Sequence, residues 1–237
     1  MGRYGYYGYY FDPTYILVLI GAVLCIWAQM RVNSTYRKYA RIRSRSGLTG
    51  AQAAQKILQL SGIYDVRIEH VRGELTDHYD PAHKVLRLSD SVYGSDSIAA
   101  IGVAAHECGH AVQHNKGYAP LSVRTALVPA ANIGSMAGIP LVLLGALLGM
   151  NQILIQIGIW VFALAVLFQV VTLPVEFNAS GRALAMLGDY GMLERDETGS
   201  CRKVLSAAAL TYVAAAASAI LQLLRLILLF GNSRRRD

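Results

Sequence analysis

Ala104-Ala105-His106-Glu107-Cys108-Gly109-His110 closes an apolar stretch that opens at Ser95 and Asp96, and its reading decides the fold. Ser95 or Asp96 supplies a helix N-cap, the apolar residues after it follow helical spacing, and Asn115, Gly117 and Pro120 mark the stop. The pattern therefore lies within a helix. Residues four apart share a helix face, so His106 and His110 can grip one metal ion while Glu107 stands beside it. Zinc held by two imidazoles and a third protein ligand keeps a position for water, lowers its pKa towards 7, and leaves a carboxylate to take the proton. The expectation is a hydrolase with one zinc per chain and Glu107 as general base.

The rest of the chain reads largely as membrane. More than half of its 237 residues are apolar, and long uncharged runs extend from Tyr15 to Met30, Leu127 to Met150, Ile153 to Val175 and Val204 to Phe230. Tyr9, Tyr10, Phe11 and Trp27 extend the first run as interfacial anchors. Asn151 and Gln152 alone separate the second and third, which predicts a tight transmembrane hairpin. The fourth carries Thr211, Tyr212, Gln222 and Arg225 and is the weakest span. These boundaries divide the chain into an N-terminal anchor (1–30), a catalytic region (31–126), the hairpin (127–175), a cytoplasmic segment (176–203), a C-terminal helix (204–231) and a basic tail (232–237). Tyr and Gly, not basic residues, precede the first apolar run, so it reads as a retained anchor and not a cleaved signal peptide.

Arg31, Arg37, Lys38, Arg41, Arg43 and Arg45 crowd the far side of the first span while only Arg3 precedes it, so the stretch after it is expected in the cytoplasm. Most of the net charge of +7 is thus an orientation signal. Beside a membrane span this cluster predicts contact with the lipid bilayer, not with nucleic acid. Arg234, Arg235 and Arg236 oppose the rule if the fourth run spans fully. Three cysteines in unrelated places form no pairing framework, and Cys108, two positions past His106, points around the helix and is expected to pack.

Between anchor and active helix, residues 49–60 read as a short amphipathic helix. Val66 to Val71, Leu75 to Tyr79 and Val85 to Leu88 read as a small antiparallel sheet. The Lys84 to Leu88 strand is expected to offer an open edge to an extended polypeptide substrate. The expected fold is an α-helical multi-pass membrane protein with a cytoplasmic zincin-like α+β catalytic domain. For the third ligand, His114 lies about 12 Å of helical rise from His106, and His70, His78 and His83 are scattered through the sheet. Glu176 is the first acid after a long uncharged interval, at the point where the third span re-emerges on the catalytic side, and is the preferred candidate. Tyr79, Arg182, Tyr190 and Tyr212 are candidate donors to a developing oxyanion, and His114 a supporting or substrate-facing residue.

Tyr10-Phe11-Asp12-Pro13-Thr14-Tyr15, Asp77-His78-Tyr79-Asp80-Pro81 to Leu88, Ala104-Ala105-His106 to His114, and Pro174-Val175-Glu176-Phe177 together resemble the YugP-like family of bacterial membrane zinc metallopeptidases over essentially the full chain. More distantly the layout is similar to HtpX-like and CaaX prenyl proteases. The resemblance implies a gluzincin-like ligand set of His106, His110 and Glu176, Glu107 as base, and a bacterial inner membrane location. It departs at Ser180, where those distant relatives carry an aspartate that orients a ligand histidine. Two other readings stand: a zinc-binding scaffold without turnover, in which Glu107 is dispensable, and a transport component, which the near absence of ionisable residues in the hairpin disfavours. Substrate, oligomeric state, any regulatory partner and any latency stay open.

Overall fold

The structure is a computed structural model and describes residues 12–231. The Gly/Tyr-rich opening, Arg3, Tyr9, Tyr10, Phe11 and the basic tail lie outside the described residues. Seven helices and three strands follow in the order α1 (Tyr15–Tyr39), α2 (Gly50–Leu60), β1 (Arg67–Val71), β2 (His78–Asp80), β3 (Val85–Ser89), α3 (Asp90–Tyr93), α4 (Ile98–Asn115), α5 (Ala119–Leu147), α6 (Gln152–Asp189) and α7 (Arg195–Phe230). Among the described residues α1, α5, α6 and α7 are long and apolar enough to cross a membrane.

The spans pack through small residues, as helices must where lipid is as apolar as leucine. In the α5/α6 hairpin a Cβ added at Gly138 would sit 2.7 Å from that of Phe162, and one at Gly158 would sit 2.8 Å from the Gly138 carbonyl. Asn151 starts α6 by accepting from the amides of Ile153 and Leu154. Against α1, α7 is equally close: Gly21 faces Ser218. Near the far end of α7, Arg225 donates to Asp12 at 3.1 Å and stacks on Tyr15 at 4.1 Å from the ring centroid. The weakest expected span therefore runs the whole length of α1, its charge answered by the aspartate that precedes α1. Such an answered charge further disfavours a transport path through this helix.

The remaining elements form one core around α4. Thr49 caps α2 in a reciprocal box with Gln52. Ser97, not Ser95 or Asp96, caps α4: its hydroxyl accepts from the Ala100 amide, while Asp96 instead meets Arg43. Buried residues of α4, α2 and β3 meet Ala183, Met186 and Leu187 of α6 and Cys201 and Leu205 of α7. The helix expected to begin at Glu176 is the uninterrupted continuation of α6. The third apolar run thus continues without a break into the core around α4.

The expectation of a purely antiparallel sheet is corrected. Strand order is β1-β3-β2, with β1 parallel and β2 antiparallel to β3. Hence β3 is central and not the open edge; the free edge beside α4 belongs to β2. The cause lies in burial: Val85, Leu86 and Leu88 of β3 are fully buried, whereas β1 and β2 keep a wet face, and the most buried strand takes the centre, its charged residue Arg87 paired with Glu69 and Asp80.

Candidate metal centre

Helices α4 and α6 cross at the site, and Gly109 lets them meet. A Cβ there would lie 2.5 Å from the Ala179 carbonyl oxygen, so only a glycine permits the approach. The contact brings His106 and His110 of α4 against Glu176 of α6. The two Nε2 atoms lie 3.2 and 3.6 Å from Glu176 Oε2, and all three potential ligand atoms fall within 4.8 Å of one another. An ion bound at about 2.0–2.1 Å in a tetrahedron separates its ligand atoms by roughly 3.3 Å. The donor set and its spacing fit zinc.

What holds the imidazoles decides which nitrogen faces the centre. Gln113, fully buried one turn past His110, donates its amide to the Val175 carbonyl at 2.8 Å and to Asn178 Oδ1 at 2.9 Å. Its oxygen, 3.0 Å from His110 Nδ1, can only accept, so the proton sits on Nδ1 and Nε2 faces Glu176. For His106, Ser180 Oγ lies 3.1 Å from Nδ1. Ser180 thus offers His106 a neutral hydroxyl at the position where the resemblance implied a carboxylate. His110 Nε2 thus turns its lone pair to the Glu176 carboxylate, and when Ser180 accepts from His106 Nδ1 the lone pair of His106 Nε2 does the same, an arrangement that suits a cation. Burial would lower the His110 pKa, but Glu176 and the charge of Glu107 hold it above the ordinary histidine value.

Glu107 is nearly buried, and its Oε2 accepts from the Tyr79 amide at 2.9 Å. That amide points out of the sheet from the free edge of β2. Tyr79 also hydrogen-bonds His114 Nδ1 through its hydroxyl, at 2.8 Å, and burial beside Asp65 and Asp80 pushes its pKa up to about 12. A cavity of about 150 Å³ opens here, lined among others by Glu107, His110, Glu176, Tyr79, Arg124 and Tyr212. Asp77 on its wall is raised in pKa by burial and by Glu107, and holds the backbone and hydroxyl of Ser89.

Other candidates lie elsewhere. Tyr190 approaches Ser61 in the core, away from the cavity. Arg182 donates to Asn178 and stacks over Tyr118, so it buttresses the Gln113 network and does not face the cavity. His70 and His83 pair with Asp90 and Asp80, while His78 binds the Thr76 carbonyl and lines the cavity. His114 is tied to Tyr79. Cys108 packs as expected: it is fully buried, its thiol 3.7 Å from the Ala54 carbonyl and raised in pKa by burial. Two residues escaped the sequence reading. Gln113 carried a signal, three positions past His110 on one helix face; Arg124 carried none. The Arg124 guanidinium lies 3.9 Å from Glu176 Oε1, and its buried Nε has no hydrogen-bond partner among the described residues.

The chain that brings two histidines and a glutamate together beside a buried carboxylate, and has four helices apolar enough to span a membrane, is similar to known proteins. Residues 14–231 match the family described as "Putative neutral zinc metallopeptidase". The chain belongs to this family. Within it, the chain is 48% identical over 221 residues to the "Putative membrane protease YugP" of Bacillus subtilis (strain 168), covering 93% of this chain and 98% of the relative. No solved structure matches it. For this zinc metallopeptidase family member, the metal-binding expectation and the membrane reading rest on the same full-length match.

Proposed function

We propose that the protein hydrolyses peptide bonds of polypeptide substrates in a bacterial inner membrane, with His106, His110 and Glu176 holding one zinc and the site facing the cytoplasm. The convergence of His106 Nε2, His110 Nε2 and Glu176 Oε2 at one point, with both Nδ1 atoms in hydrogen-bond contact behind them, carries this reading. Zinc in that position supplies polarisation of the scissile carbonyl and an acidic water at neutral pH. Glu107 takes the proton of the attacking water and returns it to the leaving amine. The Tyr79 amide fixes one Glu107 oxygen, while the other makes no hydrogen bond among the described residues and is free to accept. An extended polypeptide laid along the free edge of β2 passes the cavity that Arg124 and Tyr212 line with Glu107, and these two serve as donors to the developing oxyanion. The basic residues from Arg31 to Arg45, in the last turns of α1 and just beyond it, support the cytoplasmic orientation.

The test pairs zinc content with cleavage in detergent-purified protein. Glu107→Gln keeps about one zinc per chain and loses cleavage by roughly 10²-fold or more, whereas His106→Ala and Glu176→Ala lose zinc. Cleavage by Glu107→Gln at the wild-type rate overturns the mechanism, and folded wild type without zinc overturns the centre.

A further inference from the structure

Where α1 and α7 leave the apolar zone on the catalytic side, they form a groove unrelated to the metal centre. Arg31 and Lys38 line one wall at helical spacing, and Arg202 and Lys203 line the other, in a cavity of about 550 Å³. All four are exposed, and none forms an ion pair among the described residues. Arg43, Arg45, Lys84 and Arg87 find carboxylates, whereas Arg37, Arg41, Arg67 and Arg72 make no ion pair among the described residues either; what distinguishes the four of the groove is that they line one concavity without a carboxylate. Four unpaired cations held in one concavity repel each other unless an anion joins them.

A second groove, of about 690 Å³, runs between α6 and α7. Its walls are apolar, with Phe177, Leu184, Ala209 and Val213 along it, and Phe177 is half exposed. The two grooves share Arg202, Ser206 and Leu210, three residues at four-residue spacing that form one ridge of α7. A cationic, hydroxyl-bearing cleft thus adjoins an apolar channel across a single stripe. Depth agrees: Arg31 ends the apolar run of α1, and Arg202 and Lys203 immediately precede that of α7. An occupant matching this surface has an anionic head and a hydrocarbon tail and resides at the membrane boundary.

We infer that this double groove binds one anionic glycerophospholipid, its phosphate between Arg31, Lys38, Arg202 and Lys203 and an acyl chain over Ser206 and Leu210 in the α6/α7 channel. The charged groups facing the phosphate are cations from both helices, and no carboxylate lines either groove. Diffuse attraction of a basic surface to acidic membranes is a different matter: it depends on the number of charges, whereas a built site depends on which charges they are.

The experiment titrates phosphatidylglycerol and phosphatidylcholine onto delipidated full-length protein in detergent micelles, with bound lipid read by native mass spectrometry. Wild type retains about one phosphatidylglycerol per chain in preference to phosphatidylcholine, and Arg202→Gln/Lys203→Gln weakens retention roughly tenfold or more. Arg31→Gln/Lys38→Gln, on the other wall, does the same. Arg37→Gln/Arg41→Gln removes equal charge from a neighbouring cavity and leaves binding unchanged. Val213→Trp fills the apolar channel and weakens binding with all cations present. Equal loss in the Arg31/Lys38 and Arg37/Arg41 variants reveals diffuse attraction and overturns the site. Displacement by glycerol phosphate as effective as by the lipid, or full binding by Val213→Trp, overturns the lipid assignment in favour of a soluble phosphate. Monodisperse elution and an unchanged melting temperature establish that each variant is folded.

Discussion

Gly109→Ala tests whether the spacing of α4 and α6 creates the metal centre. The new Cβ would lie 2.5 Å from the Ala179 carbonyl oxygen, where ordinary contact begins at 3.4 Å. Neither partner is a flexible side-chain end, so the helices separate by most of that difference, about 0.9 Å, or tilt to an equivalent degree. The proposed metal ligands sit on both sides of this contact: His110 adjoins Gly109, and Glu176 lies three residues before Ala179. Zinc tolerates departures of about 0.2 Å from its bond lengths. A shift several times larger leaves two of three ligands in place, and the Ser180 contact to His106 is stretched by the same motion. Overpacking costs about 1–3 kcal/mol of stability, while zinc affinity falls by roughly 100-fold, the upper range for losing ligand support. Chelator competition gives the affinity, and a thermal melt of the metal-free protein gives the stability. Gly138→Ala is the control, since it meets Phe162 at 2.7 Å within the α5/α6 hairpin; it lowers the melting temperature without touching zinc. Zinc affinity in Gly109→Ala within threefold of wild type refutes the reasoning, whatever the melt shows.

Ser180→Ala removes the support of His106 Nδ1 and weakens zinc by about 10–100-fold; Ser180→Asp restores binding, and chelator competition on both variants checks the pair. Arg124→Gln keeps zinc and lowers kcat by roughly 10²-fold with little change in KM, as expected for a donor that acts on developing charge; a change confined to KM argues for a substrate-binding role instead. Asp80 is held well below the usual carboxylate range by His83, by backbone amides and by Arg87. Its folded pKa lies below the unfolded value of about 3.9, so its contribution is full above that value and is lost as pH falls through the folded one. The melting temperatures of wild type and Asp80→Asn should therefore differ by a constant amount from pH 7 to about pH 5 and converge on further acidification; a gap that widens towards low pH contradicts the assignment.

What could be read from the sequence depended on whether a role was encoded locally. His106 and His110 announce themselves because four-residue spacing puts them on one face whatever surrounds the helix. The α5/α6 hairpin was equally plain, since apolar length and a short connection leave no other packing. Sheet order was not legible: alternation shows which residues face inward but not which strand lies beside which, and β3 is central as the most deeply buried of the three. Arg124 belongs to the same class. Nothing near it in the sequence distinguishes it from an interfacial arginine, and its place beside Glu176 depends on how α5 leaves α4 and where α6 returns.

Ser180 shows how a pattern can mislead while the chemistry survives. The missing aspartate suggested an unsupported ligand, yet supporting a neutral imidazole needs only an acceptor for its Nδ1 proton, and a hydroxyl at 3.1 Å provides one. The exchange has an electrostatic consequence. An aspartate would add a second negative charge near Glu176 and make His106 a stronger donor to the metal, whereas the serine leaves Glu176 and Glu107 as the only acids within this ligand and base group. Ser180→Asp should then bind zinc at least as tightly as wild type yet shift the acid limb of the cleavage profile to higher pH, because added negative charge favours protonated groups nearby. An unchanged acid limb with restored zinc binding would show that hydrogen bonding alone, and not charge, is what this position supplies.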